Sequence, residues 1–258
     1  MIELLSYIKT KSETVLESSG IEQTTRNRNR IEIQKICPSI PKNELNIHNK
    51  NSILGISINS PATTGNKILS IFNLLNKRGL TEINLLMGDS LYRYTAMIKH
   101  GCNEHEGRRM GAEQNKHLMQ YYTSYVNNND TPYRLNFLLA SDFEKNEKFH
   151  TLRKELWDLF ETNTTFRLSV LNFSNYYFNR ALDTPVESIG EDVNKHEYAS
   201  KYLIEELAIF ALLNQQGINT LIYPGVIQTI YDVITMDHPL LSNLFKDYVF
   251  VSLRITRS

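Results

Sequence analysis

The sequence contains little cysteine: Cys37 and Cys102 are the only two among 258 residues, and they stand far apart. They form no Cys-x-x-Cys pair and show no regular spacing to histidine. Because structural zinc sites use such short spacings, we expect no metal site. Isolated thiols are also typical of a reducing compartment, since disulfides persist mainly in oxidising ones.

The sequence has no uncharged hydrophobic run of membrane-spanning length. Its first residues, MIELLSYIKTKSE, interrupt their apolar run with Glu3 and reach Lys9 too early for a secretory signal. A helix that crosses a bilayer needs about 20 predominantly apolar residues, and a signal peptide needs an uninterrupted apolar segment. We therefore expect a soluble, cytoplasmic protein that contacts no membrane.

An excess of either charge is absent as well, because 28 Lys and Arg residues balance 28 Asp and Glu residues. Any attraction to nucleic acid must therefore come from local clusters of basic residues. The glycine-rich signatures GxGxxG and GxxxxGK[ST] are also missing. We expect neither a dinucleotide site nor a P-loop, and no cofactor.

No segment rich in proline, glycine or serine divides the middle of the chain, which indicates one core preceded by an extension. Residues 1–18 show a loose helical pattern, and residues 22–30, EQTTRNRNR, have almost no apolar content. We predict an N-terminal extension over 1–50, formed by a helix and a polar, basic linker, and a single domain over 51–258. A basic arm that touches RNA is the alternative interpretation of the linker.

The apolar segments of the second part follow the order expected of an α/β protein. An apolar run at 53–58 is typical of a buried strand, a helical pattern follows it, and a second apolar run spans 83–87. Strand, helix and strand within about 35 residues fit a right-handed βαβ unit. Further strands are predicted at 134–140, 218–223 and 247–253, with helical segments near 90–100, 105–126, 143–182 and 191–216. The predicted fold class is α/β: a Rossmann-like, doubly wound, mostly parallel sheet of about five strands with helices on both faces.

Ser57 ends the first predicted strand, where ligand sites open in sheets of this type. The segment Gly55-Ile56-Ser57-Ile58-Asn59 lacks the second glycine of the GxSxG nucleophile elbow. Gly55 lies two residues before Ser57 on the same face of the strand and leaves room for another group to approach. Ser57 is therefore either a nucleophile or a serine that only bonds its own loop.

Tyr202 and Glu206 lie at positions i and i+4 of a predicted helix and therefore share one face. A carboxylate beside a phenol can hold a cationic α-amino group and later take up its proton. The alternative is an ordinary pair on an exposed surface of the helix. We expect the adjacent Glu205 to face solvent.

Tyr223 ends the apolar segment that starts at residue 218 and precedes Pro224, so the chain must turn directly after it. If its strand is a parallel neighbour of the first strand, Tyr223 and Ser57 emerge at the same edge of the sheet. The alternative is a tyrosine that closes the core and leaves its hydroxyl in water.

In this order and at these distances, the segments GISINSP at 55–61, YLIEE at 202–206 and LIYP at 221–224 resemble the cyclodipeptide synthases. This family joins two amino acids, taken from charged tRNAs, into a cyclic dipeptide. The resemblance covers about residues 50–253. It implies a domain similar to the catalytic domain of class I tyrosyl- and tryptophanyl-tRNA synthetases.

The resemblance assigns roles to individual residues. It implies a serine nucleophile, a helix pair that holds the amine and a late catalytic tyrosine, which here are Ser57, Tyr202 with Glu206, and Tyr223. One branch of the family has Asn three residues after the nucleophile and His after the late tyrosine. This chain has Ser60 and Pro224 at those positions, so it resembles the other, Xaa-Tyr-Pro branch.

The resemblance also suggests substrate-binding positions. A further active-site tyrosine of some members falls at Phe149, which has no hydroxyl to offer. An apolar pocket for the first aminoacyl group is implied around Ile53, Gly55, Leu85, Met87, Ile209 and Leu221. Ser60 and Pro224 border the same site.

A basic helix with which the family holds tRNA has a counterpart in the segment at 105–122. Arg108, Arg109 and Lys116 are the basic residues that we expect to contact tRNA. Glu106 and Glu113 dilute their charge, so a mixed, solvated helix surface is the alternative.

The resemblance thus implies an aminoacyltransferase that uses two aminoacyl-tRNAs and releases a cyclic dipeptide, a 2,5-diketopiperazine of the kind made in secondary metabolism. Its mechanism would be ping-pong, through an aminoacyl-enzyme and then a dipeptidyl-enzyme on Ser57. We expect it to act as a monomer without metal or cofactor. The residues leave two other functions open: a serine esterase or hydrolase of the α/β type, and a non-catalytic, synthetase-like module that binds tRNA.

Overall fold

The computed structural model describes residues 29–42, 44–45, 47–48, 50–58, 60–128, 131–182 and 193–257. The predicted helix at 1–18 and most of the predicted linker at 22–30 lie outside the described residues.

A single sheet of six strands organises the described chain, in the order β1-β6-β5-β2-β3-β4. The strands are β1 Asn29–Cys37, β2 Ser52–Ile56, β3 Glu82–Met87, β4 Arg134–Leu139, β5 Thr220–Tyr223 and β6 Val249–Arg257. Strands β2 to β6 pair with one another in parallel, and β1 pairs with β6 antiparallel. The predicted fold class, a mostly parallel Rossmann-like sheet, is confirmed, with β1 as a strand beyond those predicted.

Strand β1 shows that part of the predicted extension belongs to this sheet. Its sequence NRIEIQKIC alternates apolar and polar residues until a bulge between Ile33 and Lys35 shifts the register. Ile33 pairs with Leu253 before this shift, and Ile36 pairs with Val251 after it. Because Ile33, Ile36 and Cys37 are buried, β1 contributes to the core instead of only flanking it.

Helices cover both faces of the sheet, as the apolar pattern predicts. They are α1 Gly65–Lys77, α2 Tyr92–His100, α3 Glu104–Asn128, α4 Ala140–Phe143, α5 Glu147–Thr162, α6 Thr164–Leu182, α7 Val193–Gln215, α8 Gln228–Thr235 and α9 Pro239–Leu244. A 3-10 turn at Pro61–Thr63 joins β2 to α1. Helix α1 is an example of the pattern, since its buried residues Ile68, Ile71, Phe72 and Leu75 recur at helical spacing.

The sheet separates two apolar cores, because successive side chains of a strand point to opposite faces. The first, called here the α7 core, contains Ile53, Leu86 and Leu221 together with apolar residues of α5 to α9. The second, called here the α1 core, contains Leu54 and Ile56 with residues of α1 and Tyr122 of α3. Ligand sites of such sheets open where the strands end at their carboxyl edge, and Ser57 and Tyr223 lie there.

Candidate active site

Ser57 and Tyr223 lie at the same carboxyl edge of the sheet. Ser57 follows β2 directly and Tyr223 ends β5, and these strands are parallel neighbours in which Leu54 pairs with Ile222. The condition on which the sequence prediction depended is therefore met. The edge brings together two residues separated by more than half of the chain.

The ring of Tyr223 packs against Gly55 and leaves little room for a side chain there. A Cβ atom at Gly55 would lie 3.0 Å from Cδ2 of Tyr223 and 3.5 Å from Cδ1 of Leu221. The space that the glycine leaves is thus filled by the tyrosine ring, which packs on the backbone two residues before Ser57. The sequence predicted that another group could approach Gly55, and in the structure that group is the Tyr223 ring.

The loop after Ser57 is held by short-range hydrogen bonds. The Ser57 carbonyl accepts from the Ser60 amide at 3.1 Å and from Thr63 Oγ1 at 3.0 Å. Ser60 Oγ accepts from the Ala62 amide at 3.3 Å and caps the 3-10 turn. These bonds fix the backbone of Ser57 at the sheet edge.

Tyr202 and Glu206 are buried in α7, with 9% and 8% of their surfaces exposed. The Tyr202 hydroxyl donates to Glu206 Oε1 at 3.5 Å. The alternative interpretation as an exposed surface pair is therefore wrong. Helix α7 is apolar around most of its circumference and lies within the core, so even its polar residues face protein.

Glu206 is a carboxyl group with unused acceptor capacity. Burial raises its pKa to about 8, and the hydrogen bond from Tyr202 opposes part of that rise. Among the described residues, no donor reaches its Oε2 atom. An incoming ammonium group would supply both the missing donor and the missing positive charge, and the raised pKa lets Glu206 take up a proton near neutral pH.

Tyr177 of α6 completes an aromatic wall beside this pair. Its ring stacks on that of Tyr202 with centroids 5.1 Å apart, and Phe173 stacks on the other two rings. Its hydroxyl is hydrogen-bonded to Thr95 Oγ1. Burial raises the pKa of the Tyr177 phenol, and the nearby Glu206 and Tyr223 add to the rise. Sequence reasoning missed this residue, although Phe173 and Tyr177 stand at i and i+4 of a helical pattern.

Glu205, which we expected to face solvent, is buried with 2% of its surface exposed. It forms an ion pair with the buried Arg93, accepts from the Tyr94 hydroxyl at 2.8 Å and from Arg153 Nη1 at 3.2 Å. The expectation is wrong because other elements cover α7 on the side of Glu205 as well. Glu205 lies about 100° around the helix from Glu206, and at that angle it still faces protein. Charge pairing permits this burial.

The ion pairs of Glu205 continue to the surface of α3. Arg93 also binds Glu144 at 2.9 Å, and Glu144 in turn accepts from Arg108 at 2.6 Å. Arg108 reaches Glu104 as well, while Arg109 pairs with both Glu106 and Glu113. The predicted tRNA-contact arginines are therefore engaged with carboxylates of the chain, and Lys116 lies exposed further along the helix.

The predicted apolar pocket is corrected at two positions. Leu85 and Met87 belong to the α1 core, whereas Ile53, Ile209 and Leu221 belong to the α7 core on the opposite face of the sheet. On β3, Leu86 faces the α7 core in place of Leu85 and Met87, and it pairs with Gly55 of β2. The continuous apolar run of β3 gave no sign of which residues point to which face.

The other two predicted positions lie in the α7 core and in the turn after β5. Phe149 is buried in the α7 core with 1% of its surface exposed. Pro224 follows Tyr223 in a tight turn, in which the Gly225 amide donates to the Tyr223 carbonyl at 3.0 Å. In the described part of the chain, no helix is long and apolar enough to span a membrane, and no group of three or more potential metal ligands occurs.

Comparison with solved structures shows what kind of protein has this fold. A CDPS from Fluoribacter dumoffii matches 89% of this chain and 100% of its own, with a TM-score of 0.73 and 14% identity. A cyclodipeptide synthase from Bacillus thermoamylovorans matches over 81% and 90%, with a TM-score of 0.62 and 17% identity. The cyclodipeptide synthase from Candidatus Glomeribacter gigasporarum, bound to Phe-tRNAPhe, matches over 84% and 92%, with a TM-score of 0.56 and 16% identity.

No protein-family model and no curated protein matches the sequence. At these identities the structural likeness is one of fold. The fold of this chain is that of the cyclodipeptide synthases, over nearly the full length of the structures that it matches.

Proposed function

We propose that this protein is a cyclodipeptide synthase of the Xaa-Tyr-Pro branch, which joins two aminoacyl groups from tRNA into a 2,5-diketopiperazine. The observation that carries the proposal is the site at the sheet edge. Ser57 and Tyr223 emerge there from neighbouring strands, and the buried Glu206 offers an oxygen that no described group of the chain binds. The cyclodipeptide synthase fold supports the same conclusion.

In the first step, Ser57 Oγ attacks the carbonyl carbon of the aminoacyl ester. The Oγ–carbon bond forms, the bond to the ribose oxygen breaks, and the serine proton passes to that oxygen, which leaves with the tRNA. An ester is already activated, so a full Ser-His-Asp triad is not required. Glu206 and Tyr202 hold the α-amino group of the bound residue.

In the second step, the amine of the aminoacyl-enzyme attacks the ester of the second aminoacyl-tRNA. Glu206 takes up the proton that the amine loses, a role suited to a carboxyl group whose pKa is about 8, close to that of an α-amino group. As the amide bond forms, the ester bond to the second ribose oxygen breaks; that oxygen receives the proton from Glu206 and leaves with the second tRNA, which gives a dipeptidyl-enzyme on Ser57. Its free amine then attacks the Ser57 ester, the bond to Ser57 Oγ breaks, Tyr223 relays the amine proton to that oxygen, and the cyclic dipeptide leaves.

The substrate class rests on two further observations. One structure of the same fold is bound to Phe-tRNAPhe, which supports aminoacyl-tRNA as the substrate here. Arg108, Arg109 and Lys116 lie on one helix, where phosphates would compete with Glu104, Glu106 and Glu113 for the arginines. We therefore propose moderate, salt-sensitive tRNA binding by a protein that acts as a monomer.

The test is to mix the protein with charged tRNA and to record intact mass and small-molecule products. We expect a covalent aminoacyl adduct on Ser57 and a released diketopiperazine, both abolished in Ser57→Ala, which loses one hydroxyl and keeps the fold. Release of free amino acid alone would indicate an esterase. Binding of charged tRNA without any adduct would indicate a non-catalytic module.

A further inference from the structure

A cavity opens on the other side of the sheet from Glu206. It lies between one face of α3 and the carboxyl ends of β3 and β4, and its volume is about 530 Å³. Its walls include Asp89, Asn115, Lys116, Met119 and Leu139. Met119 and Leu139 pack against the α1 core, so this groove is separate from the buried Tyr202–Glu206 pair in the α7 core.

Asn115, a residue of the groove wall, carries a buried acceptor without a hydrogen-bond partner among the described residues. The residue is 96% buried, being 4% exposed, and its Nδ2 atom points to Met119 Sδ at 3.4 Å. A thioether sulfur accepts hydrogen bonds and cannot donate them, which fixes the amide orientation with Oδ1 as the free end. Within the part of the chain that the structure describes, nothing donates to this Oδ1. A buried acceptor of this kind is costly unless a ligand or solvent donor meets it.

Asp89 supplies a second acceptor and is built into the wall. It is 6% exposed, and its Oδ1 atom accepts from the Ser141 amide at 3.1 Å. Helix α3 passes so close that a Cβ atom at Gly111 would lie 2.1 Å from the Asp89 carbonyl oxygen. The missing side chain of Gly111 therefore sets the distance between the helix and the loop after β3.

The remaining walls of the groove add apolar surface and one positive charge. Ala112, Met119 and Leu139 offer apolar surface for the faces of a flat ring, and the exposed Lys116 places a cation at the rim. Two acceptors beside such surfaces suit a heteroaromatic base with an exocyclic amino group, and the lysine suits a phosphate. We propose that this groove binds an adenine nucleotide.

The nucleotide can come from two sources with the same chemistry: a free adenine nucleotide, or an unpaired adenosine of the tRNA substrate. The second source rests on the proposed function, because it requires tRNA to be the substrate. The strands that end at the groove, β3 and β4, follow β2 in the sheet, so the groove lies along the same edge as Ser57. Binding of a free nucleotide can be measured whether or not the protein makes diketopiperazines.

The experiment titrates the full-length protein with AMP and with IMP by calorimetry. IMP carries a carbonyl oxygen where AMP carries the amino group, so at that position it presents an acceptor to Asn115 and Asp89 in place of a donor. We expect AMP to bind roughly 10-fold or more tightly than IMP, the factor typical of leaving a buried acceptor unpaired. Absence of AMP binding at millimolar concentration, or equal affinities for AMP and IMP, would overturn the proposal.

Two variants locate the site. Asn115→Leu keeps the size of the side chain and removes one of the two acceptors, so it should reduce the preference for AMP over IMP. Lys116→Ala should weaken both nucleotides and reduce the salt dependence of binding, whereas Lys99→Ala, an exposed lysine outside the groove, should change neither. Melting curves verify folding. Full AMP preference in a folded Asn115→Leu protein would place the nucleotide elsewhere and refute the proposal.

Competition then identifies the source. If the groove holds a tRNA nucleotide, AMP should inhibit synthesis competitively with charged tRNA, and Asn115→Leu should raise KM for charged tRNA with little change in kcat. If the groove serves a free nucleotide, AMP should bind without competing. Ser57→Ala should bind AMP as the unmodified protein does, so loss of synthesis and loss of the groove are distinguishable.

Discussion

Glu205 and Glu206 are adjacent in the chain, yet their carboxylates lie in opposite electrostatic surroundings. Glu205 is matched by Arg93 and Arg153, whereas burial without a described cation raises the pKa of Glu206 to about 8. The first carboxylate is ion-paired and ties helices together. The second is poised to exchange a proton, and this contrast leads to separate predictions for the two residues.

Replacing Glu206 by Gln should remove product formation. The amide keeps the shape of the side chain but can neither carry negative charge nor take up the proton of the amine. We expect the rate of diketopiperazine release to fall by roughly 10²-fold or more, as is typical of losing a general base. Chromatography with mass detection measures the product, and an unchanged rate would remove Glu206 from the proposed mechanism. Glu155→Gln, an exposed position on α5, serves as the matched control.

The raised pKa of Glu206 also predicts how stability depends on pH. Between its ordinary value near 4.5 and about 8, the folded protein holds a proton that the unfolded chain has released. Stability from this group is therefore complete below about pH 4.5 and is lost as pH rises through about 8. Urea unfolding at pH 6 and pH 8.5 should show a decline in the unmodified protein that is smaller in Glu206→Gln. Parallel declines in the two proteins would contradict the assignment.

Replacing Glu205 by Gln should reduce the free energy of unfolding. The change leaves the buried Arg93 without one of its carboxylate partners and removes the partner of Arg153. Breaking a buried ion pair on one side costs roughly 3 kcal/mol. Chemical denaturation measures the loss, and the exposed Glu155→Gln change should cost close to nothing. A Glu205→Gln protein as stable as the unmodified one would show that the ion pairs contribute no net stability.

Gly55→Ala should impair activity through the Tyr223 ring. The added Cβ would meet that ring at 3.0 Å, and the ring must move away from the edge beside Ser57. Misplacing a reacting group by a fraction of an ångström lowers the rate, here by roughly 10-fold or more. Gly88→Ala is the matched control, because its Cβ would meet the Ile56 carbonyl oxygen at an ordinary 3.7 Å. Equal activities of the two variants would show that the packing of the Tyr223 ring on Gly55 does not affect catalysis.

The sequence made part of this site predictable. The apolar runs and the turn residues that follow them locate the ends of β2 and β5. The parallel arrangement of these strands then brings Ser57 and Tyr223 to one edge of the sheet. The spacing of Tyr202 and Glu206 places them on one face of a helix, which the structure shows with a hydrogen bond between them. These features follow from contacts between residues near in sequence and from a regular sheet.

Tertiary structure alone decided the remaining features. Leu85, Leu86 and Met87 are equally apolar, so pairing with β2 was needed to show that Leu86 faces the site. Glu205 reads as a surface residue until α2 brings Arg93 against it from more than 100 positions away. Burial and charge pairing of this kind depend on which distant groups fold together, and no local pattern records them. The sequence determined which residues could act, and the packing of α7 determined which of the adjacent carboxylates of Glu205 and Glu206 is left to accept a proton.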